Sequence, residues 1–142
     1  MGLSTSLRWR SLTLSTSLRA NIGNYVYNGM AMNTGAWETV SYNAYQLNNL
    51  NRSYLATGFQ TRQHLSDYYV ENASFVKMDN LSLSYDFGRL NRWIADLTVS
   101  ALVQNVFTIT NYDGVDPEVP NGMDSSFYPR PRTYSLSIGL QF

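Results

Sequence analysis

The sequence lacks cysteine, contains a single lysine (Lys77) and a single histidine (His64), and has no long apolar run. The absence of cysteine excludes disulfide scaffolds, thiolate zinc sites and cysteine nucleophiles. Ten basic and ten acidic side chains cancel, so a nucleic-acid partner is not expected. No segment reaches the roughly 18 consecutive apolar residues of a membrane-spanning helix. The first residues lack the pattern of a secretory signal, so the chain either stays inside the cell or is the tail of a longer protein.

What is present is a chain rich in uncharged polar and aromatic residues. Charged residues make up 14% of the 142 residues, against roughly 25% in soluble domains. Aromatic residues also make up 14%, and 11 of them are tyrosines. The length fits a single domain, and the composition indicates a surface that does not face water alone.

Alternation of apolar and polar residues predicts five strands, near residues 2–8, 11–27, 68–87, 95–110 and 132–142. The apolar positions change phase between Trp9 and Leu12, which predicts a tight turn near residues 8–11. The last segment has the clearest alternation. Its apolar positions are Tyr134, Leu136, Ile138, Leu140 and Phe142.

The lengths of the connections and the chemistry of the polar face favour a membrane protein. Long loops are expected near residues 28–67 and 111–131, well beyond the roughly 15 residues common in compact soluble domains. Short turns alternating with long loops are typical of transmembrane β-barrels. The polar face carries Ser, Thr, Asn and Gln rather than Lys and Glu. The predicted fold is therefore all-β, an antiparallel transmembrane β-barrel. A soluble β-sandwich would also alternate and remains the alternative.

Three stretches then carry a resemblance to a known family. Residues 66–85 are similar to the signature D-Y-x-V-E-x-A-S-F-x-R-x-x-N-x-x-L-x-Y, with Lys77 and Asp79 as departures. Residues 104–119 resemble Q-N-L-F-T followed by Y-x-G-x-D-P-E-V, and residues 128–134 (YPRPRTY) complete the series in order. The chain resembles the C-terminal end of SusC/RagA-type TonB-dependent outer-membrane transporters. Residues 1–65 match only loosely.

The resemblance implies about five C-terminal strands of a larger, 22-stranded barrel that encloses a plug. Five strands cannot close by themselves, and an open edge in lipid leaves backbone groups unsatisfied. The implied function is TonB-dependent import of glycan or peptide oligomers across the outer membrane of a Gram-negative cell. Implied partners are the rest of the barrel and plug, a SusD-like surface lipoprotein, TonB and outer-membrane lipid. The alternatives are a stand-alone outer-membrane barrel or adhesin and a soluble carbohydrate-binding β-sandwich.

The resemblance also implies that barrel-assembly machinery reads the last strand, through Tyr134, Leu136, Ile138, Leu140 and Phe142. The alternative for Phe142 is that it only completes an aromatic girdle at the membrane interface. Both roles are compatible.

Candidate ligand-binding residues are aromatics in the two long loops, because aromatic rings stack on sugar faces. They could equally pack loop against loop or contact the lipoprotein. They are Trp37, Tyr42, Tyr45, Tyr112, Phe127 and Tyr128.

Four acidic residues, Asp113, Asp116, Glu118 and Asp124, leave a calcium site or ordinary turn chemistry open. His64 has neither a cysteine nor a nearby pair of carboxylates to form a metal site or a catalytic triad with. The sequence predicts no enzyme activity and no cofactor.

Overall fold

The structure is a computed structural model that describes residues 1–41, 49–89, 96–125 and 128–141. Tyr42, Tyr45, Phe127 and Phe142, which the sequence analysis singled out, lie outside the described residues. The chain divides into two compact units. The sheet unit comprises Met1–Asn21, Phe75–Thr110 and Arg130–Phe142, and the loop unit comprises Ile22–Ser74 and Asn111–Pro129.

Strands dominate the described part of the chain, which confirms the all-β class. They are β1 (Gly2–Trp9), β2 (Leu12–Asn21), β3 (Tyr25–Asn28), β4 (Val70–Asn72), β5 (Phe75–Gly88), β6 (Asp96–Thr110), β7 (Met123–Asp124) and β8 (Thr133–Gln141). The helices are short: α1 (Gly29–Thr34), α2 (Tyr54–Thr57) and three 3-10 turns at Trp37–Ser41, Asp67–Tyr69 and Pro120–Gly122. Among the described residues, no helix is long and apolar enough to cross a membrane.

The sheet unit is one antiparallel sheet with the order β1-β2-β5-β6-β8. The turn expected between the first two strands lies at Arg10 and Ser11, where Arg10 adopts a left-handed φ of 54°. Leu14 pairs with Leu7 on one side and Leu83 on the other. Because side chains alternate between faces, this register aligns the apolar positions of all five strands on one face.

The apolar face is broadly exposed. It is interrupted by Thr5 and Thr16, and its exposed members include Leu3, Leu7, Trp9, Leu83, Tyr85, Ile109, Tyr134, Leu136, Ile138 and Leu140. A monomeric soluble protein rarely exposes so many contiguous apolar side chains. This face therefore needs an apolar environment.

The opposite face is lined mainly by hydroxyl and amide side chains, with Leu102 and Phe75 as apolar exceptions. Its charged members are Arg8, Arg19, Lys77, Asp86 and Asp96. Directly paired serines contact one another across the strands: the Oγ atoms of Ser6 and Ser15 are 2.9 Å apart and those of Ser84 and Ser100 are 2.8 Å apart. Such cross-strand pairs satisfy hydroxyl groups without charged side chains.

Two bulges interrupt the polar face at the same level of the sheet. The register shifts beside Asp79 in β5, and β6 carries an extra residue at Asn105, which has a φ of 53°. Asp79 forms a bidentate ion pair with Arg19, whose Nη2 lies 2.7 Å from the Asp79 Oδ1. Lys77, two residues earlier, is only 1% exposed. Both positions where the sequence departs from the family signature are thus structurally engaged.

The loop unit has its own small sheet, in which β3 pairs antiparallel with β4 and parallel with β7. Asn28 starts α1, because its Oδ1 accepts a hydrogen bond of 2.9 Å from the backbone N–H of Ala31. The apolar core consists of two small clusters. They contain Val26, Ala73, Tyr112 and Val119, and Tyr27, Ala31, Met32, Phe59 and Tyr69.

The structure differs from the sequence expectations in the bounds of two strands. The strand expected over 11–27 ends at Asn21, because Gly23 adopts a φ of 83° and donates its N–H to Ser74 Oγ at 2.9 Å. The strand expected from residue 68 is broken before Phe75, where Asn72 Oδ1 accepts from the N–H of Ser74 at 2.8 Å. The segments expected as loops, 28–67 and 111–131, contain the helices, the 3-10 turns and β7 of the loop unit.

Candidate functional site

The loop unit contains a cavity of about 630 Å³, within the size range of small-molecule sites. Its lining comes from α1 and α2, from the segment that precedes α2 and from the 3-10 turn that leads into β4. Among the described residues, the lining consists of Asn28, Ala31, Asn51, Arg52, Ser53, Ala56, Tyr68, Tyr69, Glu71 and Asp113. Eight of these ten residues carry a polar or charged side-chain group, and both signs of charge are represented.

Two buried hydroxyl oxygens in the lining have no hydrogen-bond partner in the part of the chain that the structure describes: Tyr69 Oη and Ser53 Oγ. Tyr69 is only 1% exposed, and burial raises the pKa of its hydroxyl. Both oxygens face Gly35, where a Cβ atom would lie 2.9 Å from Ser53 Oγ and 3.2 Å from Tyr69 Oη. Buried polar groups in native proteins are nearly always paired. These two hydroxyls are therefore unusual, and they lie against Gly35, which is not one of the described lining residues.

Glu71 is held in place by neutral donors. Its Oε1 accepts a hydrogen bond of 2.9 Å from Asn28 Nδ2, and its Oε2 accepts one of 3.1 Å from the backbone N–H of Asp113. Through these two contacts, Glu71 of β4 is linked to Asn28 of β3 and to Asp113, which follows β6 in the chain. The carboxylate is thus preorganised at the cavity wall, and its negative charge is not neutralised by those donors.

Aromatic rings pack around Tyr69 and Tyr68, which both line the cavity. The Tyr69 ring makes edge-to-face contacts with Tyr68 and Tyr27, with centroid distances of 5.1 Å and 6.3 Å. Tyr68 also packs edge-to-face on Phe59 at 5.7 Å. Edge-to-face pairs contribute about 0.5–1.5 kcal/mol beyond area burial, so these contacts help to hold the Tyr69 ring in place.

The comparisons with known proteins cover the whole chain. The TonB-dependent receptor SusC of Bacteroides thetaiotaomicron is 38% identical over 152 aligned residues, which include 100% of this chain and 15% of SusC. The chain belongs with the SusC/RagA-type TonB-dependent receptors. The TonB-dependent receptor P3 of Formosa agariphila is 25% identical over 163 residues, with 100% of this chain and 16% of P3 aligned. No family model matches the chain.

Solved structures agree on the fold. The RagAB peptide transporter superimposes with a TM-score of 0.81 and 24% identity, covering 99% of this chain and 17% of that one. The RagAB peptide importer in its closed-closed state gives a TM-score of 0.77 and 21% identity over the same share of this chain. This segment therefore spans about a sixth of the length of the receptors and transporters that it resembles. These relatives are named as receptors and transporters, not as enzymes.

The structure describes three of the aromatic residues predicted to bind ligand in this SusC/RagA-type chain, and none of the three lines the cavity. Trp37 packs against Tyr54 with a centroid distance of 6.1 Å. Tyr112 is buried in the core of the loop unit, and its hydroxyl donates to Asp124 Oδ2 at 2.8 Å. Tyr128 is 85% exposed. Ligand binding by these three residues remains a prediction, and Tyr112 has a clear packing role.

The acidic residues considered for calcium are not brought together as a group of three in the part of the chain that the structure describes. Among the described residues, no three His, Asp or Glu side chains are grouped to hold a metal ion. Asp116 instead makes a local turn contact, because its Oδ1 accepts from the N–H of Glu118 at 3.0 Å. Turn chemistry is the alternative that the structure supports at this position.

The sequence analysis did not single out the cavity residues as a site. Tyr68, Tyr69 and Glu71 lie within the family-like stretch 66–85, so that motif was the available signal. Asn51, Arg52 and Ser53 belong to a polar segment without a recognisable pattern. Their position in the cavity depends on tertiary contacts that alternation cannot reveal.

Proposed function

We propose that this chain forms five strands and two extracellular loop segments of a TonB-dependent transporter in the outer membrane. The remainder of the protein would close these strands into a 22-stranded barrel around a plug. The transporter would import glycan or peptide oligomers, bound beneath a SusD-like lipoprotein and released inward when TonB acts on the plug. This segment would contribute wall and binding surface rather than the moving part.

The observation that carries the proposal is the two-faced sheet in a chain related to SusC over its whole length. The apolar face is exposed across all five strands, while the other face carries serine, threonine and asparagine. That combination suits lipid on the outside and a hydrated or plug-filled interior on the inside. A soluble β-sandwich would have to cover the apolar face with a second sheet, whereas the described strands of the sheet unit form a single sheet.

The unpaired edges of the two outer strands, β1 and β8, support the proposal that other parts of the protein close the barrel. Within the described sheet, β1 pairs only with β2 and β8 pairs only with β6, so each has one unpaired edge. Backbone groups at such edges cannot remain unsatisfied in lipid. We further propose that β8, through Tyr134, Leu136, Ile138 and Leu140 together with Phe142, serves as the barrel-assembly signal.

A matched pair of substitutions in the full-length protein tests the proposal. Leu136 lies in the middle of β8 on the apolar face and is 73% exposed, whereas its neighbour Ser137 lies on the polar face opposite Ser100. Leu136→Arg places a charge in lipid, at a cost of about 2–4 kcal/mol near the bilayer centre. We expect it to reduce strongly the amount of protein in detergent-extracted outer membranes, while Ser137→Arg is tolerated.

Two outcomes of this experiment would contradict the proposal. Recovery of the parent protein in the soluble fraction would favour the sugar-binding β-sandwich. Equal tolerance of both arginine variants in the membrane would show that the apolar face does not contact lipid.

A further inference from the structure

One end of the sheet unit places exposed arginines within two residues of aromatic side chains. Arg10 follows Trp9 in the turn between β1 and β2, and Arg89 follows Phe87 just after the end of β5. Both arginines lie at the same end of the sheet, because β2 runs antiparallel to β1 and to β5. Trp9 is 67% exposed, and the exposed Phe87 ring packs edge-to-face on Tyr85 with a centroid distance of 4.6 Å. The apolar face thus ends in aromatic rings with guanidinium groups beside them.

Arg10 occupies a backbone position at which arginine is an unfavourable choice. Its φ of 54° lies in the left-handed region, where turns of two residues between antiparallel strands favour glycine or asparagine. Its guanidinium carbon lies 5.7 Å from the centroid of the Trp9 ring, which belongs to the apolar face. A side chain kept at an unfavourable φ is a reason to look for a function of that side chain. Here it holds a positive charge where the apolar face ends.

The charge at this end of the apolar face is of one sign. Within the described ranges, neither Arg10 nor Arg89 has an ion-pair partner. The acidic residues described at this end, Asp86 and Asp96, belong to the polar face. Asp86 Oδ1 also accepts the backbone N–H of Gly88 at 2.8 Å. A ligand on the apolar side therefore meets guanidinium groups and, among the described residues, no carboxylate.

We propose that this end of the apolar face binds a phospholipid with an anionic headgroup. The headgroup phosphate accepts charge-assisted hydrogen bonds from Arg10, Arg89 supplies a second positive charge, and the acyl chains lie along the apolar face. The ammonium group of a zwitterionic headgroup would lack a carboxylate partner on this side. The inference rests on the proposed function, in which the apolar face contacts lipid. Short turns are typical of the periplasmic side of such barrels, so the lipid belongs to the periplasmic leaflet.

The test uses the full-length transporter purified in detergent and native mass spectrometry, which counts the lipid molecules bound at each lipid concentration. The probes are phosphatidylglycerol, phosphatidylcholine and inorganic phosphate. We expect phosphatidylglycerol to bind about fivefold more tightly than phosphatidylcholine or better, and this preference should shrink as salt is added. Inorganic phosphate should not displace the lipid, because it gains nothing from the apolar face.

A matched pair of variants locates the binding. Arg10→Gly removes the guanidinium and should weaken phosphatidylglycerol binding about fivefold. Without added lipid its thermal unfolding midpoint should not fall, because glycine adopts the left-handed φ readily. Arg8→Gln is the control, since it removes an exposed positive charge two residues away, but on the polar face, opposite Thr13. It should bind phosphatidylglycerol like the parent.

Several outcomes would overturn the inference. These are equal binding of the two lipids, unchanged phosphatidylglycerol binding by Arg10→Gly, equal weakening by Arg8→Gln, or displacement of the lipid by inorganic phosphate. A lower midpoint of Arg10→Gly without lipid would instead assign Arg10 a structural role. All of these are measured on protein already extracted from the membrane, whereas the Leu136 and Ser137 variants measure insertion. Failure of the lipid site and failure of the proposed function can therefore be distinguished.

Discussion

At the scale of single residues, Tyr112 and Asp124 form a buried hydrogen-bonded pair in the loop unit. Asp124 is 1% exposed, its Oδ2 accepts the Tyr112 hydroxyl at 2.8 Å, and its Oδ1 has no partner in the described part of the chain. Burial, and then the hydrogen bond to Asp124, raise the pKa of Tyr112. Tyr112 therefore stays protonated and remains a donor to the buried carboxylate.

Removal of that donor should destabilise the loop unit. Tyr112→Phe keeps the ring in the core but leaves the Asp124 carboxylate without its described hydrogen bond. An unsatisfied buried acceptor costs about 1–3 kcal/mol, and more when it is charged. We expect a lower thermal unfolding midpoint of the full-length protein in detergent. Tyr128→Phe removes an exposed hydroxyl and should leave the midpoint unchanged. Equal midpoints for both variants would contradict a structural role for the pair.

At the scale of secondary-structure elements, the bulge in β6 connects two of the family-like stretches. Asn105 adopts a left-handed conformation within the strand, and its Nδ2 donates to the carbonyl oxygen of Arg130 at 2.7 Å. Arg132 Nε donates back to the carbonyl oxygen of Asn105 at 3.3 Å. Asparagine combines tolerance of positive φ with a side-chain amide. This combination gives a physical reason for asparagine at this bulge.

Two substitutions separate the backbone and side-chain contributions of Asn105. Asn105→Gly and Asn105→Ala both lose the amide contact to Arg130, which is worth about 1 kcal/mol. Only alanine adds the left-handed penalty of about 1–2 kcal/mol. We therefore expect the unfolding midpoint in detergent to fall in the order parent, Asn105→Gly, Asn105→Ala. If the alanine variant were as stable as the glycine variant, the left-handed bulge would not be required.

The sequence predicts the long strands well because a period of two is visible over seven or more residues, as from Leu81 to Phe87. It does not predict the breaks at Gly23 and Asn72, which depend on single side-chain contacts to backbone groups. The sequence also does not predict most of the secondary structure of the loop unit. Its helices are four to six residues long, too short for a periodic signal, and they are held by caps such as Asn28.

At the scale of the whole molecule, the family relationship and the exposed apolar face both indicate that this segment needs lipid and further strands around it. The described sheet has exposed apolar side chains on one face of all five strands, and each of its two edges lacks a partner strand among the described residues. A segment of about a sixth of the length of its relatives cannot cover this face and pair both edges with its own residues. It needs lipid on one face and further strands at both edges.

The segment of 142 residues expressed alone should therefore fail to form a soluble monomer. We expect it to sediment in aqueous buffer and to require detergent, because the apolar face and both edges promote association. Leu7→Ser with Leu136→Ser, at exposed positions on the two edge strands, should shift part of the material into the supernatant. Analytical ultracentrifugation with and without detergent measures both effects. A monodisperse soluble monomer would instead mean that the apolar face is covered by the chain itself, as in a β-sandwich binding module.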